Sequence, residues 1–329
     1  MSKRTLTSRI ERFATAGTFN IARGAKTHVD VVVAEIGADG HCGRGEGTAI
    51  YYLGDSAETA LAAIESAHDA IVAGAARTDL LALLPAGAGR NALDAALWDL
   101  EAKTTGIPVW RRLGLQRPVS VLTAFTLSLA EPEVMEAAAR QAASRELLKL
   151  KLAGDAGDAE RVAAVRRGAP GARIIVDANE SWAGKDVAAE AAALLGFRVE
   201  LIEQPVPAGH EHLLDNVVSP IPLCADESLH DMETLDRCLG RYQFLNIKLD
   251  KCGGLTEGLR IADAARAAGI GLMTGCMLST SLGIAPAFMV ASQSQYADLD
   301  GPLLLAKDRR PGLRFEGSDV FPPEPALWG

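Results

Sequence analysis

No stretch of this sequence reaches the length of a membrane-spanning helix without a glycine or a charge interrupting it. The N-terminus, MSKRTLTSRIERF, is basic but has no apolar core segment, which argues against a signal peptide. Cysteine is scarce: Cys42, Cys224, Cys238, Cys252 and Cys276 are odd in number, widely spaced and without a CxxC. That argues against a disulfide framework and fits a reducing compartment, so a cytoplasmic location is expected. No Lys/Arg-rich run is interleaved with aromatics, and the net charge is −9, which argues against a nucleic-acid partner. A small anionic substrate is still allowed, because a local site can oppose the global sign. The histidines of the C-terminal part, His210, His212 and His230, lack metal-ligand spacing. No GxGxxG follows the first strand of the regular region, so a dinucleotide fold lacks its signature.

What is there is ordinary in bulk and regular in pattern. With 48% hydrophobic and 23% charged residues, 329 residues can form one large domain or two of ordinary size. Residues 1–118 show no steady rhythm. Val29–Ile36 reads as a strand with a turn at Gly37–Gly40, and Thr18–Ala25 reads as a glycine-containing loop. Residues 56–76 and 90–104 read as helices, the second with Leu93, Leu97 and Leu100 inward and ended by Gly106 and Pro108. Trp98 reads as core. This is the pattern of a small α+β domain. From 119 onward short β-rich runs alternate with alanine-rich helical runs. The strands are expected at 119–128, 147–152, 173–178, 199–204, 222–227, 244–249, 271–275 and 295–300. Repeated βα units imply a parallel sheet, and eight of them favour closure into a barrel over about 119–308. The tail, 309–329, has several prolines and is expected to pack back on the N-terminal domain.

Within Glu146–Leu152, Lys149 and Lys151 alternate with leucines and so share one strand face. Two inward lysines are unfavourable without a purpose, and each disfavours the other's protonation. Lys149 would thus lower the pKa of Lys151 and help make it a usable base. In barrels of this kind the chemistry sits at the C-terminal strand ends. Here Lys151, Asp177, Glu203, Asp226 and Lys248 occupy successive strand ends, about one βα unit apart. Asp177, Glu203 and Asp226 would converge as three oxygen ligands, a set that repels itself without a hard cation and suits Mg²⁺. Each carboxylate alone could instead cap the following helix, but capping does not explain why lysines hold the flanking strand ends. Lys151 and Lys248, on either side of the triad, could serve opposite faces of one carbon, one removing a proton and the other returning one. Cys224, two before Asp226, reads as barrel packing.

The motifs Lys149-Leu150-Lys151, Asp177-Ala178-Asn179-Glu180-Ser181-Trp182, Glu203-Gln204-Pro205, Cys224-Ala225-Asp226-Glu227-Ser228 and Asn246-Ile247-Lys248-Leu249-Asp250-Lys251 with Gly253-Gly254 together carry a resemblance. Arg90–Asp94 and Gly275–Leu278 extend it over nearly the whole chain. The chain resembles the enolase superfamily in its muconate-lactonising subgroup, and in particular the dipeptide epimerases that act on L-Ala-D/L-Glu. The resemblance implies a (β/α)₇β modified TIM barrel with an α+β capping domain, whose loops near 18–26 and 43–55 face the substrate. It implies Mg²⁺ on Asp177, Glu203 and Asp226, with Lys151 and Lys248 as the acid/base pair. Asn179 and Glu227 stand beside the ligands as supporting residues. Asp250, taken to share Lys248's strand face, is a candidate to orient it.

The superfamily also contains N-acyl amino acid racemases and o-succinylbenzoate synthases, which the shared motifs do not separate. A non-catalytic metal-binding barrel is the alternative of another class, and the presence of both lysines speaks against it. Lys248 stands where an acid-sugar dehydratase would carry part of its His/Asp pair. The eighth strand ends in Asp298-Leu299-Asp300, which the resemblance assigns to a substrate's free α-ammonium. Paired carboxylates favour a cation and oppose a succinyl or muconate group. Arg23 resembles the arginine that reads an acidic side chain, which a guanidinium matches bidentately. Arg4, Arg9 and Arg12 read as solvated surface charge. The implied substrate is a dipeptide such as L-Ala-L-Glu from murein, inverted at its C-terminal α-carbon through an enediolate. A homo-oligomer is compatible with the sequence; nucleic acid and membrane are not expected partners.

Overall fold

The computed structural model describes residues 4–21 and 24–329, the side chains of 18–21 and 24–26 apart. The N-terminal part builds a three-stranded antiparallel sheet from β1 (Thr5–Ile21), β2 (Gly24–Ala38) and β3 (His41–Thr48), in that order. The expected loop at Thr18–Ala25 is mostly strand: beyond a register shift between Ala14 and Phe19, β1 and β2 keep pairing to Ile21↔Gly24. The expected loop at 43–55 is also half strand, since β3 takes it to Thr48.

Glycine disguises β3 in the sequence. Gly43, Gly45 and Gly47 alternate and point one way. A Cβ on any of them would strike the carbonyl oxygen of Ala96, Ala92 or Ala88 in turn. The strand can therefore lie directly on the helix Ala88–Thr105, whose Leu93, Leu97 and Leu100 join Val32, Ala34 and Ile36 in the core of this domain. The helix stops at Gly106, φ 65°, a left-handed cap that glycine adopts freely. Trp98 is buried, with its Nε1 donating to Thr256 Oγ1 at 3.1 Å.

The second part is an eight-stranded parallel sheet. The expected first strand, 119–128, is two strands on two sheets: β4 (Val121–Leu122) and β5 (Phe125–Leu127). After β5 come β6 (Leu147–Lys151), β7 (Arg173–Asp177), β8 (Val199–Glu203), β9 (Leu223–Ala225), β10 (Phe244–Ile247), β11 (Gly271–Gly275) and β12 (Tyr296–Asp298), each paired with the next in parallel. Ala124 N donating to Ala297 O at 2.8 Å links β5 back to β12 and closes the barrel. Helices cover most crossovers, but the one after β8 carries only the 3₁₀ turn Glu211–Leu214. Alternation then layers the interior. Ala124, Leu147, Ile175, Leu201, Cys224 and Met273 form one buried apolar plug. Two residues further along the same strands, every inward position changes character.

The tail divides its contacts. Strand β13 (Phe315–Glu316) pairs with β14 (Asp319–Val320), and β14 pairs with β4. The last residues reach helix Ala88–Thr105, where fully buried Trp328 donates Nε1 to Ala95 O at 2.9 Å.

Candidate active site

Above the apolar plug, the next inward positions are Thr126, Lys149, Asp177, Glu203, Asp226, Asn246 and Asp298; Lys151, Lys248 and Asp300 lie above or beside them. Asp177 and Glu203 end β7 and β8. Asp226 and Lys248 stand one residue past β9 and β10, where the chain has begun to turn. Asp177, Glu203 and Asp226 are buried, and each offers an oxygen within 4.8 Å of the others'. Strand order puts Lys151 beyond Asp177 on one flank and Lys248 beyond Asp226 on the other.

The lysines hold these carboxylates. Lys151 Nζ lies 2.6 Å from Asp177 Oδ2, and Lys248 Nζ lies 2.7 Å from Asp226 Oδ2. Lys149, almost wholly buried, donates to Asp298 Oδ2 at 2.8 Å. It also stands 2.6 Å from Glu203 Oε2, a charge contact without hydrogen-bond alignment. Lys251 closes the back of the site: its Nζ is 2.5 Å from Asp226 Oδ1 and also donates to the Asp226 carbonyl. Asn246 Nδ2 donates to Glu203 Oε1 at 2.9 Å. The buried Gln204 side chain accepts from Asp226 N at 2.7 Å and Ser228 N at 3.1 Å, pinning the β9 end. Gly275 on β11 leaves room for this arrangement, since a Cβ there would come 2.7 Å from Asn246 Oδ1 and 3.0 Å from Lys248 Cε.

Charge is unevenly settled among the three acids. Burial pushes Asp226 up, but Lys248 and Lys251 outweigh it, and its pKa falls well below the carboxylate range. Asp177 is likewise lowered: Lys151 and Lys149 overcome its burial. Glu203 is pushed up to about 8, first by burial and then by repulsion from Asp177. Burial pulls Lys149 and Lys248 down, yet the surrounding carboxylates, led by Asp298 and Asp226 respectively, hold both well above the usual lysine value. Three buried oxygen donors, one of which cannot ionise easily beside the others, fit a hard divalent cation. Asn179 Oδ1, buried without a hydrogen-bond partner at the rim, is a further polar atom suited to that shell.

Asp298 and Asp300 lie opposite the triad. Thr126 N donates to Asp300 Oδ2 at 2.7 Å, while Thr126 Oγ1 donates to Asp298 Oδ1 at 3.4 Å. Burial and then the neighbouring Asp298 push Asp300 up to about 7. The mouth encloses roughly 90 Å³ and brings Lys149, Lys151, Lys248, Asp226, Asp298 and Asp300 to one surface. Asn179 donates its backbone N to Asp177 Oδ1 at 2.9 Å and its Nδ2 to Glu227 Oε1 at 3.4 Å, so both supporting residues sit at the rim. Asp250 is not on Lys248's strand. It lies in the short helix Leu249–Cys252, and its Oδ1 accepts from Thr48 N and Asn91 Nδ2, both at 2.8 Å, on the capping domain. Arg23 lies outside the described residues. Arg9 and Arg12 pair on the surface with Glu11, Glu35 and Asp30, and Arg4 donates to Ala75 O.

Several residues at the site carry no sequence expectation. Asn246 and Lys251 were within reach of one: Asn246 is two before Lys248 on the same strand face, and Lys251 is three after it on a helical turn. Tyr51 and Tyr52, within the stretch near 43–55 expected to face the substrate, line the mouth together with Met277, Leu278 and Leu304.

Comparison with known proteins fits this geometry. Residues 3–114 match the family described as Mandelate racemase / muconate lactonizing enzyme, N-terminal domain, and residues 133–320 match Enolase C-terminal domain-like. The L-Ala-D/L-Glu epimerase of Escherichia coli (strain K12) is 44% identical over 304 residues, 92% of this chain and 94% of that protein. An N-acetyl-D-glutamate racemase from Pseudoalteromonas sp is 46% identical over 253 residues, 77% of this chain and 79% of that protein. Among solved structures, an Agrobacterium tumefaciens enolase family member with homology to dipeptide epimerases, holding sodium and L-Ala-L-Glu, superposes with a TM-score of 0.96 at 47% identity, covering 99% of this chain and 100% of that one. A dipeptide epimerase from Enterococcus faecalis V583, complexed with Mg and L-Leu-L-Tyr, gives 0.91 at 30% identity over 98% of each chain. The chain belongs to the enolase superfamily, on its mandelate racemase and muconate lactonizing enzyme branch.

Proposed function

We propose that the chain is a Mg²⁺-dependent dipeptide epimerase that inverts the α-carbon of the C-terminal residue, interconverting L-Ala-L-Glu and L-Ala-D-Glu. The observation that carries this reading is the pair of lysines on opposite flanks of a buried three-carboxylate cluster, with two further carboxylates across the mouth. Asp177, Glu203 and Asp226 would hold the ion. When bound, Mg²⁺ supplies positive charge against the substrate carboxylate, which makes the adjacent C–H more acidic. Lys151 and Lys248 then divide the proton work. One takes the α-proton from its face, and the other delivers a proton to the opposite face. The bond lost and the bond gained are both C–H, so the product is the epimer and nothing else changes. Lys149 and Lys251 fix the carboxylates they touch. Asp298 and Asp300 are assigned to the α-ammonium of the N-terminal residue. Arg23 is assigned to the acidic side chain on the resemblance alone. The murein peptide of the bacterial wall is the proposed source of such dipeptides, and the cytoplasm the proposed location.

A second reading has a specific observation behind it. Lys149 already engages Asp298, and Asp300 is pushed up to about 7, so the pair presents less than two free negative charges. An N-acylated glutamate, whose nitrogen carries no charge, meets less opposition there than two bare aspartates would give. One experiment separates the readings. L-Ala-L-Glu, other L,L-dipeptides, N-acetyl-L-Ala-L-Glu and N-acetylglutamate are each incubated in D₂O with Mg²⁺, and α-deuterium is read by mass. Fast exchange of L-Ala-L-Glu with poor exchange of its acetylated form supports the dipeptide reading. Efficient exchange of the acetylated compounds but not of free dipeptides would replace it by the second.

A further inference from the structure

We propose that Arg309 is a positioning residue: clasped by Glu46, Glu11 and Thr280, it holds the cap-side wall of the mouth in place over the two lysines. The kinetic part of this proposal rests on the function proposed above. The face of β3 opposite its glycines is a polar rail. Arg44 donates to the Ala326 and Leu327 carbonyls at 2.8 and 2.9 Å. Thr48 Oγ1 meets Ser279 Oγ at 3.0 Å. Between them Glu46, fully buried, accepts from Arg309 Nε at 2.9 Å, and Nη2 stands 2.8 Å from the same oxygen, a charge contact without hydrogen-bond alignment. Its other oxygen, Oε1, accepts Thr280 N at 2.8 Å, while the Thr280 hydroxyl donates to Oε2, the oxygen that faces Arg309. Arg309 Nη1 reaches Glu11 Oε2 on β1 at 2.6 Å, and the guanidinium lies 5.0 Å from the Phe13 ring centre.

Arg309 does not line the mouth itself. Each segment it holds runs into one that does. Thr280 caps the helix Ser281–Ala291 and stands three residues after Met277. Glu46 precedes Tyr51 and Tyr52 on the same stretch. Ala306 N donates to Ala14 O at 2.9 Å, tying the segment of Leu304 to β1. A buried carboxylate held by a guanidinium on one side and by Thr280 on the other is stiff, and removing the arginine leaves Glu46 buried with its charge unmatched. The wall would then be free to shift, and a wall that touches the substrate away from the reacting carbon supplies binding shared by ground and transition states, whose loss raises KM rather than lowering kcat.

The test uses the whole chain with Mg²⁺. Arg309→Met, Arg309→Lys and the double variant Arg309→Met/Glu46→Gln are compared, the last guarding against misfolding from the orphaned acid. KM for L-Ala-L-Glu should rise roughly tenfold or more in the variants lacking the arginine, with kcat within about threefold. Arg309→Lys, which keeps the charge, should recover part of the KM. Hydrogen exchange read by mass should accelerate in segments 46–53 and 276–282 and stay unchanged in 147–151 and 173–177. A loss of kcat matching the rise in KM, or faster exchange with unaltered KM, would overturn the positioning role and leave a merely structural one. Unaltered exchange at 46–53 and 276–282 would overturn the clasp itself. If the unsubstituted protein exchanges none of the dipeptides, the proposed function fails, and the clasp is then judged by the exchange pattern alone.

Discussion

Two clusters of buried charge lie a short way apart in this molecule, and they are built on opposite rules. At the joint between cap and barrel, buried acids are matched by partners that hold them in place: Glu46 by Arg309 and Thr280, Asp94 by Thr256, Asp250 by Thr48 and Asn91. At the mouth, Asp177, Glu203 and Asp226 stand within one another's reach, and the lysines among them leave Glu203 pushed up to about 8. The joint is closed and the mouth is open. Single acids buried on hydrogen bonds fix the relation of two domains, whereas three acids within one another's reach leave a place for a cation to bind. The difference predicts that substitutions at the mouth act first on chemistry, and that those at the joint act first on stability.

The largest effect is expected from the lysines. Lys151→Ala and Lys248→Ala should each lower epimerisation by about three orders of magnitude or more, the scale of a lost general acid or base. Each variant should still exchange the α-proton of one epimer in D₂O, and the two variants should choose opposite epimers. Equal exchange of both epimers by either variant would contradict the division of labour.

Glu203→Gln comes next. The change keeps the shape and removes one of three charges, so Mg²⁺ affinity should drop by roughly tenfold to a hundredfold, with turnover falling alongside. Without Mg²⁺ the same variant should be as stable as the parent or more so, because burial and Asp177 already oppose ionisation of Glu203. Calorimetric titration with Mg²⁺ and thermal melting in chelator test the two halves. A variant that melts much lower in chelator would place Glu203 with the matched acids of the joint.

The sequence made the mouth more legible than the joint, for a physical reason. Barrel strands repeat one layout, so a charged residue at each strand end shows as a rhythm, and alternation assigns it a face. Lys149, Asp177, Glu203 and their neighbours are readable in that way. The joint depends on surfaces that meet only in three dimensions. β3 reads poorly as a strand because three of its residues are glycines, and those glycines make sense only against the carbonyls of Ala88, Ala92 and Ala96. Residues 119–128 read as one strand because nothing in composition marks the corner at Thr123 and Ala124, where the chain leaves one sheet for another. Asp250 reads as a strand neighbour of Lys248 because β10 ends sooner, at Ile247, than its apolar pattern suggests. Its partners, Thr48 and Asn91, come from the other domain.

Asp250 also gives the smallest prediction, and the one that probes the joint most directly. Burial pushes its carboxyl up to about 7; the bonds from Thr48 and Asn91 and the charge of Lys248 pull it down, while Glu46 adds to the rise. A carboxyl whose folded pKa is raised holds its proton more tightly in the folded than in the unfolded chain. Its effect on stability is therefore most favourable at low pH, is lost as pH rises from about 4 to about 7, and is constant above that. Both donors reach the same oxygen, Oδ1, so Asp250→Asn keeps them and imitates the protonated acid. Relative to the parent, the variant should gain stability steadily across that window, by a few kcal/mol at most for a shift of this size. Urea unfolding of both proteins at intervals from pH 4.5 to 8 measures the difference. A difference that stays constant over the range would mean that Asp250 is ionised throughout, held by charge at the joint rather than by hydrogen bonds to a neutral acid.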